Sequence, residues 1–163
     1  MTAFSAEACC KQGLDEIRKG DPAKAAALFR QALELDHARS RKKPEMRYLS
    51  YYGLSLALAG FSTQAAVVAC RKAVERQQDD PILHLNLGRV YRATGKTVLA
   101  MQSFERGLAL SPENRQLREE LAQVDRRSLP VIPGLDRDHA LNRWLGRMRA
   151  RRPGARRSAS LST

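Results

Sequence analysis

Residues 83–114 read LHLNLGRVYRATGKTVLAMQSFERGLALSPEN. At the centre stands Gly95-Lys96-Thr97, which has the form of the end of a phosphate-binding loop. That loop needs Gly-x-x-x-x-Gly-Lys-[Ser/Thr] between a strand and a helix. Five residues before Gly95 stands Val90, not glycine. Leu83, Leu87, Val90 and Tyr91 recur at intervals of three or four, the period of one helix face. A loop entered from a helix and lacking its first glycine cannot wrap backbone N–H groups around a phosphate. Gly95 is better explained as a helix terminator, because glycine takes the left-handed conformation at little cost. The stretch then predicts a helix–turn–helix corner, with Lys96 in the turn and Thr97 capping the second helix.

The corner recurs. Gly88 and Gly95 are seven residues apart, as are Gly13 and Gly20, and Gly53 and Gly60. After Gly20 come Ala25, Phe29, Ala32 and Leu33; after Gly95, at the same spacings, come Ala100, Phe104, Gly107 and Leu108. The middle copy has Ala66, Cys70, Ala73 and Val74, displaced by one residue, which predicts one extra residue in its turn. Gly53 and Gly88 are 35 residues apart, and Gly13 and Gly53 are 40 apart. Glycine inside a helix costs about 1 kcal/mol relative to alanine. That cost is tolerable where the missing side chain lets a second helix approach, with Ala25, Ala66 and Ala100 as small facing residues. Asp21-Pro22, Asp80-Pro81 and Ser111-Pro112 each offer an N-cap followed by a first-turn proline.

A period near 34 with Leu87-Gly88, Tyr91, Gly95, Ala100, Phe104, Leu108 and Pro112 in register closely resembles the tetratricopeptide repeat. The first copy has Glu16 for the tyrosine and His37 for the proline. The second has Leu56 for the tyrosine and Cys70 for the aromatic of its second helix. The resemblance covers about residues 6–114. It implies an all-α superhelix, a solenoid of antiparallel helix pairs. Residues 1–127 hold three pairs and a capping helix whose apolar face is Leu117, Leu121 and Val124; such a cap covers the last exposed apolar surface. The polar stretch DHARSRKKPE, residues 36–45, is expected to project as a loop between the first and second copies.

Residues 128–135, SLPVIPGL, carry two prolines and a glycine and read as a linker. Residues 136–152 read as a basic amphipathic helix with Leu141, Trp144, Leu145 and Met148 in one stripe. Residues 153–163 read as a disordered tail. The formal net charge is +12; residues 136–163, with eight arginines against two aspartates, carry half of it. The stripe has three open roles: an anchor back onto the repeats, a contact with a partner protein, or attachment to nucleic acid or an anionic membrane.

No run approaches 18 apolar residues, and MTAFSAEACCKQG lacks the form of a signal peptide. A cytoplasmic location is expected, and the Ala-, Arg- and Leu-rich composition suggests a bacterial source. Cys9, Cys10 and Cys70 are odd in number with no Cys-x-x-Cys pair, which argues against a disulfide scaffold or zinc site. Cys9 and Cys10 should fall on different faces of one helix. His37, His84 and His139 are isolated, and no nucleophile–base set can be placed. Neither catalysis, a metal nor a cofactor is expected.

The resemblance implies peptide binding in a groove lined by the first helices. Carried over residue by residue, the groove candidates are Lys11, Leu14 and Arg18, then Arg47, Ser50, Tyr51 and Leu54, then Leu85, Asn86, Arg89 and Arg92. The cations among them would favour an acidic partner segment or a C-terminal carboxylate, since arginine grips carboxylate oxygens in pairs. Alternatively they only keep the surface soluble. The carboxylate clamp of chaperone-binding members is missing: its places hold Cys10, Leu14, Tyr51, Ile82 and Asn86. The expected function is that of a protein-interaction scaffold. A secretion-type chaperone with three such repeats is an alternative that the basic charge disfavours. A nucleic-acid- or membrane-associated protein working through the Arg-rich helix is another.

Overall fold

A computed structural model of the chain describes residues 5–39 and 45–128. Among these are seven helices and no strand: α1 (Ala6–Lys19), α2 (Pro22–Arg39), α3 (Met46–Leu58), α4 (Thr63–Arg76), α5 (Pro81–Ala93), α6 (Thr97–Leu110) and α7 (Arg115–Ser128). They pack as three consecutive pairs, α1 with α2, α3 with α4 and α5 with α6. Successive pairs meet through α2 on α3, α4 on α5 and α3 on α5. The expected linker, basic helix and tail lie outside the described residues, except Ser128, which ends α7. Leu141, Trp144, Leu145 and Met148 lie outside them too.

The glycine spacing fixes the pairing, by a contact more specific than helix approach alone. A Cβ on Gly13 would sit 2.8 Å from the Phe29 ring, and one on Gly88 would overlap the Phe104 ring. Each glycine of the first and third pairs is thus a notch for an aromatic knob from the second helix. In the middle pair, Cys70 fills the notch, and a Cβ on Gly53 would lie 2.7 Å from its sulfur and 2.8 Å from the Ala66 carbonyl. The alanines expected to face the glycines, Ala25, Ala66 and Ala100, are fully buried around these contacts.

The corners follow the left-handed terminator. Gly20, Gly60 and Gly95 have φ of 85°, 70° and 76°. At the third corner Gly95 N–H donates to the Arg92 carbonyl at 3.1 Å and Lys96 N–H to the Tyr91 carbonyl at 2.8 Å, closing α5. The turn between α3 and α4 is one residue longer than that between α5 and α6, as the displaced spacing requires. Thr97 is not the cap; it is the first residue of α6, and Lys96 at the N-cap makes no side-chain capping bond. Asp21 and Asp80 do cap, accepting from Lys24 N–H at 3.0 Å and Ile82 N–H at 2.9 Å. Ser111 does not start α7. It closes α6, and Asn114 caps α7 by accepting from Leu117 N–H at 3.2 Å. The loop expected after the first pair is helical through Arg39, and Asp36 reaches across to accept from Glu45 N–H at 2.8 Å.

The core is continuous from the second pair to α7, with Leu54, Cys70, Leu85, Phe104, Leu117 and Val124 in one cluster. α7 seats on α6 through Leu117, whose methyls occupy the space a side chain on Gly107 would need. Leu121 packs partly buried against the same cluster.

Candidate peptide-binding groove

The predicted groove residues stand on α1, α3 and α5, and equivalent positions behave differently along the stack. Two residues before each notch glycine are Lys11, Tyr51 and Asn86: exposed, partly buried and 1% exposed. Three before it are Cys10, Ser50 and Leu85, and only Cys10 meets solvent appreciably. One after it are Leu14, Leu54 and Arg89, with Leu54 buried. Ser50, Leu54, Leu85 and Asn86 are therefore held in a helix–helix interface and not displayed on a wall. The cause is the direct packing of α3 on α5, across which Asn86 Nδ2 donates to Ser50 Oγ at 3.1 Å. Leu54 and Leu85 belong to the core.

The cations also divide. Arg47 Nε donates to Asp80 Oδ2 at 2.5 Å, and this bond holds the guanidinium above its ordinary pKa. The other oxygen of Asp80 caps α5, so one buried carboxylate orients both an arginine and a helix start. Arg89 Nε donates to Glu120 Oε1 at 2.8 Å, while Arg92 pairs with Glu120 Oε2 and donates to Gln123 Oε1 at 2.9 Å. Glu120 reaches α5 from α7. Arg18 pairs within α1 with Asp15 at 2.7 Å. Lys11 alone among the predicted groove cations has no carboxylate partner among the described residues. Asp80 and Glu120, which compensate the arginines, were not among the predicted groove residues; Asp80 was legible only as a cap.

Tyr51 is the meeting point of the wall. Its ring stacks on Phe29, with centroids 5.3 Å apart and planes 17° off parallel. Burial raises the pKa of its hydroxyl, and so does Cys10 from α1. Arg47, Asp80 and Arg89 act on it too, so groups from α1, α3 and α5 converge there. Burial, and next the charge of Glu45, pushes the Cys10 thiol up to about 11. Cys10 is thus a neutral thiol at physiological pH, a weak nucleophile that offers apolar surface. Of the five clamp positions, Cys10, Leu14, Tyr51 and Ile82 are partly buried and Asn86 is buried. Where the clamp carries charge, this wall is neutral and largely apolar.

Elsewhere the chemistry is structural. Among the described residues no three His, Cys, Asp or Glu side chains are placed to hold a metal ion. His84 is buried and its Nε2 bonds the Gln78 carbonyl at 2.9 Å. Cys9 is buried and Cys10 is not, as their adjacency on a helix requires. No helix among the described residues is long and apolar enough to cross a membrane.

Two family models, both described as tetratricopeptide repeat, match residues 10–81 and 83–116. The mouse FK506-binding protein-like is 30% identical over 154 residues, covering 91% of this chain. The chain spans 42% of that relative's length. The second TPR domain of human RPAP3, solved in complex with the HSP70 peptide SGPTIEEVD, superposes with a TM-score of 0.56 at 20% identity. It covers 76% of this chain and 94% of its own. The Sgt2 TPR domain from Aspergillus fumigatus gives 0.61 at 17% identity, covering 85% and 93%. The stacked pairs, their glycine notches and these matches together make the chain a member of the tetratricopeptide repeat family, with the all-α superhelix and the protein-interaction role of that family.

Proposed function

We propose that the protein is an adaptor that holds an extended segment of a partner protein along α1 and α3, by apolar contact first and charge second. The observation that carries this is the neutral row Cys10, Leu14, Tyr51 and Ile82, partly exposed on three first helices. Apolar side chains that remain accessible at the convergence of several helices form a surface suited to a partner's side chains. The RPAP3 domain with its HSP70 peptide is a precedent for peptide capture by this fold. The missing clamp argues that a different peptide is taken here.

Acidic preference enters at one end. Arg89 and Arg92 are engaged with Glu120, so they offer an incoming carboxylate little. Lys11 is exposed and uncompensated among the described residues. Arg47 is 49% exposed and uses only its Nε toward Asp80, which leaves a prearranged fork of donors. An extended segment with an apolar side chain over Tyr51 and a carboxylate toward Lys11 or Arg47 satisfies both features.

An array of synthetic ten-residue peptides, varied in apolar and acidic content and probed with the full chain, tests this. Bound peptides should share an aromatic or aliphatic residue next to an acidic one, and Leu14→Asp should lose them while keeping its helicity. An array on which wild type and Leu14→Asp bind the same peptides equally would overturn the assignment.

A further inference from the structure

We propose that the cleft between α4 and α6 is a second docking site, taking a partner segment that presents a bulky apolar side chain beside a carboxylate. The cleft lies away from the groove. At 3.6 residues per turn, Leu87 and Tyr91 project from the opposite side of α5 to Ile82, Leu85 and Arg89. α4 and α6 each pack on α5 and leave a gap between themselves, a cavity of about 400 Å³. Val74, Leu87, Tyr91, Leu99, Gln102 and Arg106 line it. That volume falls within the range of small-ligand pockets and admits one large side chain with its flanking backbone.

Three features identify the occupant. Leu99 is 41% exposed at the cleft, apolar surface that a single-sided helix would bury. Tyr91 is 8% exposed, and its hydroxyl has no hydrogen-bond partner among the described residues. It is thus a polar group beside the apolar Leu87 and Leu99, able to donate to or accept from a peptide backbone. Arg106 is exposed and has no carboxylate partner among the described residues, whereas Arg71 across the cleft is matched by Glu75 at 3.5 Å. A cavity for one apolar side chain with one uncompensated guanidinium at its rim is complementary to an apolar residue followed by an acidic one.

The test uses the full chain, isotope-labelled for amide chemical-shift mapping and titrated with acetyl-Phe-Glu-Glu-amide and acetyl-Phe-Lys-Lys-amide. The acidic peptide should give saturable shifts at Leu99, Gln102 and Arg106, with affinity roughly fivefold or more above that of the basic one. Arg106→Glu should reverse that preference in the cleft shifts, and Leu99→Asp should remove the cleft shifts with both peptides. Both positions are exposed, so circular dichroism should show unchanged helicity. The proposal is overturned by equal affinity for the two peptides, by shifts that appear at Leu14 and Tyr51 instead, or by cleft shifts that come from diluting the protein without peptide.

Discussion

The two ends of the groove wall are built from the same register and finished in opposite ways. At α5, Asn86 and Leu85 are buried against α3, and Arg89 and Arg92 close on Glu120 from α7. At α1, Lys11 is exposed and Cys10 and Leu14 are partly exposed. The difference shows what an arginine in such a groove can mean. Where two arginines close on one buried carboxylate, as at Glu120, they fasten a helix to the stack. A cation unpaired among the described residues, such as Lys11, or one half exposed with its terminal nitrogens free, such as Arg47, is available to a ligand. Cations on one groove face therefore separate into stability and recognition, and substitutions should separate the same way.

The largest effect should come from Arg89→Glu. It places a carboxylate beside the buried Glu120, which would keep Arg92 but lose the Arg89 hydrogen bond and gain a like-charged neighbour. Removing one partner of a buried pair costs about 3–5 kcal/mol, and the partial exposure of Arg89 reduces this to about 2–3 kcal/mol. Urea unfolding followed by circular dichroism measures it, and Arg89→Glu with Glu120→Arg should recover part of the loss. If the single variant unfolds like wild type, the α5 end is not a fastening. Consequently, charge reversal at Arg47 and Arg89 is a poor probe of peptide binding, because both arginines stabilise the stack.

Lys11→Glu should do the reverse. Stability should stay within about 0.5 kcal/mol of wild type, as for an unpaired surface residue. Affinity for an acidic peptide taken from the array should fall about tenfold, measured by fluorescence anisotropy. Unchanged affinity would move the recognition charge elsewhere.

The smallest effect concerns how the open end is held. Glu16, buried, binds Lys19 at 2.8 Å and Lys24 of α2 at 3.2 Å, so it ties α1 to α2. These bonds, that to Lys19 first, lower its pKa. A carboxylate with a lowered folded pKa stabilises fully above its unfolded value, near about 4.3, and loses that contribution as pH falls through the folded value. Stability should therefore drop on acidification below about pH 4 more in wild type than in Glu16→Gln. Parallel acid titrations would contradict the tie.

Much of the fold was legible because its determinants are local and periodic. Glycines seven residues apart specify a notch and a terminator within one helix and its turn, and the aspartates before prolines specify starts. The capping role given to Thr97 and the start given to Ser111-Pro112 failed because a residue's neighbours compete for the same helix end, and Lys96 and Asn114 took those places. The groove was half legible. Register gave the helix face, but burial of Ser50 and Asn86 depends on how closely α3 and α5 pack. The ion pairs join residues 33 and 31 apart in the chain, which no spacing rule marks.

The decisive measurement is amide chemical-shift mapping of the full chain with a peptide selected on the array. Saturable shifts centred on Lys11, Leu14 and Tyr51, with Arg92 and Glu120 little changed, are the expected result. Shifts centred on Arg89, Arg92 and Glu120, with α1 unaffected, would contradict the division between a recognising end and a fastened one.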